Sequence, residues 1–187
     1  MLRVRRTSSA ILTTIVLATL TACTTAESPV AGDSGDDGEF SLGPKVTLTF
    51  DLSGAITLSG KQTALAPSGG AEFLKSCDEY ANRSQYSIAG LLDGDVDGKK
   101  VIVELEIEDY KGPGTYPKDQ LVAPGSRPSI GVDNKVYGTW PESTSSEVTT
   151  DGKGGGTWTF KKLAATAEGG LPGEPVNGTL KWTCKNP

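Results

Sequence analysis

The residues best spaced for chemistry lie between positions 93 and 104. Asp93, Asp95 and Asp97 alternate, Gly98 follows, and Glu104 comes after five intervening residues. This is the D-x-D-x-D-G-x5-E pattern of a calcium loop. Alternating carboxylates converge on a hard cation, the glycine permits the sharp turn, and the last Glu closes the shell. Lys99 and Lys100 oppose that use, because they set positive charge beside the ion and Lys100 takes a place that is usually apolar. The strand expected next also draws Glu104 away. The stretch therefore reads first as an exposed hairpin tip, with Ca²⁺ held by Asp93, Asp95, Asp97 and Glu104 as the alternative.

Glu104, Glu106 and Glu108 form a second carboxylate series. Residues two apart on a strand are separated by about 6.6 Å, which overlaps the spacing of inverting glycosidase carboxylates. Any solvated strand face offers the same spacing, and cross-strand Lys161 or Lys181 would neutralise it. Tyr110, Tyr116, Tyr137 and Trp140 suit either a sugar- or lipid-binding face or core and turn packing. The chain has no histidine, so it lacks the commonest general base and the commonest transition-metal ligand. A Ser-His-Asp triad is excluded. The expectation is a protein that is not an enzyme; an envelope glycan-active enzyme using carboxylates such as Glu106 is the alternative.

The elements that position these residues begin after an N-terminal address. Arg3, Arg5 and Arg6 precede an apolar run from Ala10 to Leu20, and small residues then lead to Cys23. This is secretory signal architecture, and the run is too short to serve well as a permanent span. Leu20-Thr21-Ala22-Cys23 resembles the lipobox of bacterial lipoproteins. The resemblance implies a signal peptide over 1–22, cleavage after Ala22, and a diacylglycerol with further acyl chain on Cys23. Two buried chains suffice for stable anchoring where one is marginal. An ordinary signal peptide that releases a soluble protein is the competing reading.

Removing residues 1–22 takes three arginines and no acid from 18 basic and 23 acidic residues, so the mature balance is −8. That argues against nucleic acid as a partner, since nucleic-acid binders carry a basic footprint. Residues 23–44 are small, polar and acidic, with Glu27, Asp33, Asp36, Asp37 and Glu39 and no basic residue. Such a segment buries too little to offset its ordering entropy and reads as a flexible tether, spanning about 25 Å if it is a random coil. An interaction tail for a basic partner is the other reading.

Residues 45–187 are long enough for one domain with a core. Lys45–Leu52 alternates strictly, with Val46, Leu48, Phe50 and Leu52 on one face, as a half-buried strand does. Further strands are expected over 55–59, 85–92, 101–110, 130–132, 136–140, 146–150, 157–163 and 178–184, and a helical turn over 71–80. The fold class expected is all-β: an antiparallel β-sandwich of about seven to eight short strands, chosen over a barrel. With Cys23 given to lipid, Cys77 and Cys184 remain. Outside the cytoplasm they are expected to form one disulfide; a reactive thiol is the alternative.

The whole layout resembles small secreted lipoproteins of actinobacteria, including the mycobacterial 19-kDa antigen type. The shared features are the lipobox, the tether, a β domain with two cysteines and a last strand ending in Gly178-Thr-Leu-Lys-Trp-Thr-Cys184. This implies a lipoprotein on the extracytoplasmic face of the cell membrane, held by its lipid, with no cofactor beyond the covalent diacylglycerol. Its expected role is a binding or structural module for an unknown envelope ligand or protein. A Ca²⁺-binding adhesin-like domain is the alternative.

Overall fold

The computed structural model describes residues 42–68, 73–83, 86–87, 94–124, 126–166 and 172–187. β1 (Lys45–Gly54) follows the alternation of its sequence: Val46, Leu48, Phe50 and Leu52 are buried, and Lys45, Thr47, Thr49 and Asp51 face outward. β2 (Leu58–Leu65) returns beside it. The expected strand at 55–59 is thus displaced, with Ala55–Thr57 in the connection. The inward positions of β2 are Leu58, Gly60, Gln62 and Ala64, so its apolar alternation is weak in the sequence.

α1 (Cys77–Ala81) is capped by Ser76, whose Oγ accepts the Glu79 N–H at 3.1 Å. β3 (Tyr86–Ser87) is the described part of the strand expected over 85–92. β4 (Gly94–Val96) and β5 (Lys99–Glu104) form a hairpin. Its turn residues Asp97 and Gly98 have φ of 51° and 70°, the left-handed pair that a tight hairpin needs. The expected strand 101–110 breaks at Leu105, after which β6 (Glu106–Ile107) pairs elsewhere.

β7 (Gly114–Pro117) leads through a 3₁₀ turn (Lys118–Gln120) to β8 (Leu121–Val122). β9 (Ser129–Val132) and β10 (Lys135–Gly138) make another hairpin. β11 (Ser145–Thr150) and β12 (Gly156–Thr166) follow, and β13 (Pro172–Lys185) closes the chain. The fold is all-β and antiparallel, as the alternation and turn signals predict, its large sheet is nearly closed like a barrel, and Cys77 and Cys184 form the one disulfide expected of them.

The large sheet runs β2-β1-β13-β12-β10-β9-β5-β4, with β11 and then β7 branching from β12. A smaller sheet has the order β3-β6-β8. β12 has β13 along one edge and serves two neighbours along the other because it is bulged: its first part pairs with β11, its register with β13 shifts between Phe160 and Leu163, and its last part pairs with β10. Lys162 takes φ 62° at that step. A bulge of this kind bends a strand and lets one sheet turn a corner. The large sheet curls until its ends meet. A side chain at Gly60 of β2 would come within 2.7 Å of Val96 of β4, and one at Gly94 would overlap the Gln62 amide.

The inner faces enclose Trp158, Trp182, Tyr80, Phe50 and Phe160, all essentially fully buried. Each such side chain stabilises the fold by about 2–3 kcal/mol. Trp158 stacks obliquely on Phe160 with centroids 4.7 Å apart, and its indole donates to Ser146 Oγ at 2.8 Å. The Cys77–Cys184 disulfide fastens α1 to β13 across 107 residues. Beside it, Asn186 Oδ1 accepts the Cys77 N–H at 2.7 Å.

Two stability outcomes are expected. Replacing both Cys77 and Cys184 by alanine lowers the unfolding free energy by about 3–4 kcal/mol, read by urea denaturation. Gly94→Ala costs about 1–3 kcal/mol through overpacking against Gln62, and trimming the neighbour in a Gly94→Ala, Gln62→Ala pair recovers part of that loss.

Candidate functional site

The sequence-predicted residues do not gather in one place. Cys23 and Asp93 lie outside the described residues. Asp95 is an exposed residue of β4 directly opposite Lys100, and Asp97 sits in the hairpin turn. Glu104 ends the outgoing strand, about 20 Å from Asp97 by strand rise. Its carboxylate instead accepts a hydrogen bond from Ser129 Oγ at 3.3 Å. Glu104 therefore cannot close a shell around an ion held by the turn. Among the described residues no group of three or more His, Cys, Asp or Glu side chains is placed to hold a metal.

The carboxylate series divides at Leu105, which is fully buried. Glu104 belongs to the large sheet and Glu106 to the small one, where it lies opposite Val122. Glu108 follows β6 and donates its N–H to Gln120 O at 2.9 Å. The aromatic residues do not form a face either. Tyr110, Tyr116 and Tyr137 are buried at 3–8 % exposure. Tyr116 OH donates to Gly112 O and accepts the Lys111 N–H at 3.2 Å, which pins the turn over residues 110–116. Trp140 folds back over Gly138, where a side chain would collide with the indole, and donates to Ala164 O at 2.6 Å.

Burial raises the pKa of the Tyr110 hydroxyl, a hydrogen bond with Thr150 partly offsets this, and nearby Tyr116 and Asp151 add to the rise. Burial alone raises Tyr137.

A groove appears where the sequence offered no candidate. It lies over β7, the 3₁₀ turn, β8 and the segment 126–128, with a volume of about 560 Å³. That is within the size range of small-ligand sites. Pro117, Leu121 and Val122 supply apolar surface, while Lys118, Asp119, Ser126 and Arg127 supply polar groups. The walls are held by short local bonds. Lys118 Nζ donates to Pro141 O at 2.9 Å, Ser126 N–H to Ala123 O at 3.0 Å, and Thr139 N–H to Pro128 O at 3.2 Å. The one sequence signal was Leu121-Val122-Ala123 set between prolines at 117, 124 and 128 and flanked by Lys118 and Arg127. The groove can take a small amphipathic ligand with a negative group facing Arg127.

Compared with protein-family models, curated proteins and solved structures, the chain matches none.

The tyrosine shifts set an alkaline limit. Both are upward from 10.0, so above that pH the unfolded chain releases these protons first. The folded state then holds more protons, and stability falls as pH rises. It is whole below pH 10 and is lost as pH climbs through the raised folded values. Melting temperature against pH is expected to bend downward above pH 10, and Tyr137→Phe is expected to flatten that bend.

Proposed function

We propose that this chain is a cell-envelope lipoprotein. Cys23 carries the diacylglycerol, residues 23–44 form the tether, and residues 45–187 work outside the membrane as a binding or structural module without catalytic activity. The Cys77–Cys184 bridge is the observation that carries this reading. Disulfides persist in oxidising compartments and are rare in the cytosol, so the bridge agrees with the export that the N-terminal pattern implies. The groove beside Arg127 supports binding of a small envelope ligand over a purely structural role.

Intact-mass measurement of the membrane fraction tests the anchor. The expected mass is that of the chain from Cys23 onward plus a diacylglycerol and further acylation. Cys23→Ala is expected to move the protein out of the membrane fraction. An unacylated Cys23 in the wild-type chain would overturn the reading. A thermal-shift screen of small envelope-type ligands tests the groove. A hit should raise the melting temperature in proportion to its occupancy, and Arg127→Ala should abolish that rise without lowering the melting temperature of the free protein.

A further inference from the structure

The outward side of the large sheet carries a field of threonine and lysine that the fold does not use. Strand register places it row by row. One row crosses six strands as Lys61, Thr49, Lys181, Thr157, Thr149 and Thr115. On one side of it lie Thr63, Thr47 and Thr183, and on the other lies the pair Thr179 and Thr159. Neighbouring strands are about 4.8 Å apart and alternate residues about 6.7 Å, so the hydroxyls form a regular grid about 24 Å across. They are close enough to link: Thr47 and Thr63 hydroxyls meet at 2.9 Å, and those of Thr115 and Thr149 at 3.4 Å.

The face is charged against the rest of the molecule. Lys45, Lys61, Lys161, Lys181 and Lys185 face out here, against Asp51, Glu147 and, at the end of β11, Asp151. The balance of +2 sits on a chain whose total is −5. The ammonium groups of Lys61 and Lys181 stand two strands apart in the central row, and neither has an ion-pair partner among the described residues. A shallow depression of about 330 Å³ lies beside Lys181, bordered by Thr149, Thr157 and Thr183, with the Asp151 carboxylate at its edge.

We propose that this face binds an anionic polysaccharide lying across the strands. Each threonine hydroxyl both donates and accepts, as a sugar hydroxyl does, and the Lys61 and Lys181 ammonium groups meet the polymer's negative charge. The chemistry favours a hydrated polymer over other partners. Among the described residues the exposed large apolar ones are Leu42, Phe73, Ile102 and Val136, and none belongs to these rows. A membrane-docking face needs apolar groups to insert, and a protein interface needs buried aromatic or Arg anchors.

The test uses the full, disulfide-bonded chain carrying Cys23→Ala, so that no acyl chain contributes, and measures affinity for polygalacturonate, neutral dextran and phosphatidylglycerol vesicles. Binding to polygalacturonate is expected, weakening with added salt, with little binding to dextran or vesicles. Lys61→Glu with Lys181→Glu is expected to lower the affinity about tenfold or more. Thr49→Val with Thr157→Val, which leaves charge unchanged, is expected to lower it severalfold. Lys100→Glu with Lys135→Glu makes the same charge change elsewhere and is expected to leave it within about twofold. An unchanged melting temperature for each variant excludes misfolding, and the valine pair tests the face independently if the glutamate pair fails to fold. The proposal is overturned if polygalacturonate does not bind, if the control pair loses as much affinity as the face pair, if dextran binds equally well, or if vesicles bind more tightly.

Discussion

The domain depends on the last strand finding its place. β13 lies between β1 and β12 and pairs with both along most of its length. Its Leu180 and Trp182 meet Phe50 and Leu48 on one side and Trp158 and Gly156 on the other. Until it docks, β1 and β12 each show an unpaired edge and half of a core. The pairing of Lys45 with Lys185 joins the two ends of the domain, so it is a contact of the longest range the domain allows. Contacts of this kind demand that chain entropy be lost before they reward it. The Cys77–Cys184 bridge acts on the same strand and removes part of that cost from the unfolded chain.

Small residues decide how tightly the sheet can curl. Gly60 leaves room for Val96, and Gly94 lies beneath the Gln62 amide, so β2 and β4 approach without large side chains between them. Gly138 and Gly156 do a related job within the sheet, each covered by a tryptophan, Trp140 and Trp182 respectively. An aromatic ring over a strand glycine restores the packing that the missing side chain forfeits. Gly154, at φ 83°, sits where a side chain would press on Cys184 and Tyr80. Here both the backbone conformation and the disulfide's surroundings require glycine.

The two surfaces suited to binding arise from different parts of this scaffold. The groove by Arg127 is built from short elements and turns, where several strands are only two to four residues long. The threonine-lysine field is built on the longest strands, whose inward residues are the core itself. A rigid inner face holds the spacing of the outer one. With an acidic segment ahead of Lys45 and a positive field on the sheet that Lys45 begins, charge is unevenly divided along the chain. Unequal charge of this kind steers partners of opposite sign toward one side of a molecule.

Much of this was readable from the chain alone. Period-two alternation determined β1, and the paired Trp158 and Phe160 determined the inward face of β12, because side chains on a strand must alternate between core and water. Turn chemistry at Asp97-Gly98 determined the β4–β5 hairpin, and so the fate of Glu104. Two cysteines beyond Cys23 pointed to the bridge. Only the tertiary structure decided the course of β2, whose inward Gly60 and Gln62 look polar until β4 closes over them. It alone decided that β12 bends at Lys162, that Tyr110, Tyr116 and Tyr137 are core residues, and that the segment after Pro117 forms a groove. Alternation along a strand is local and survives in sequence. Which strand lies beside which, and what their outward rows add up to, depends on residues far apart in the chain, so it exists only once they are paired.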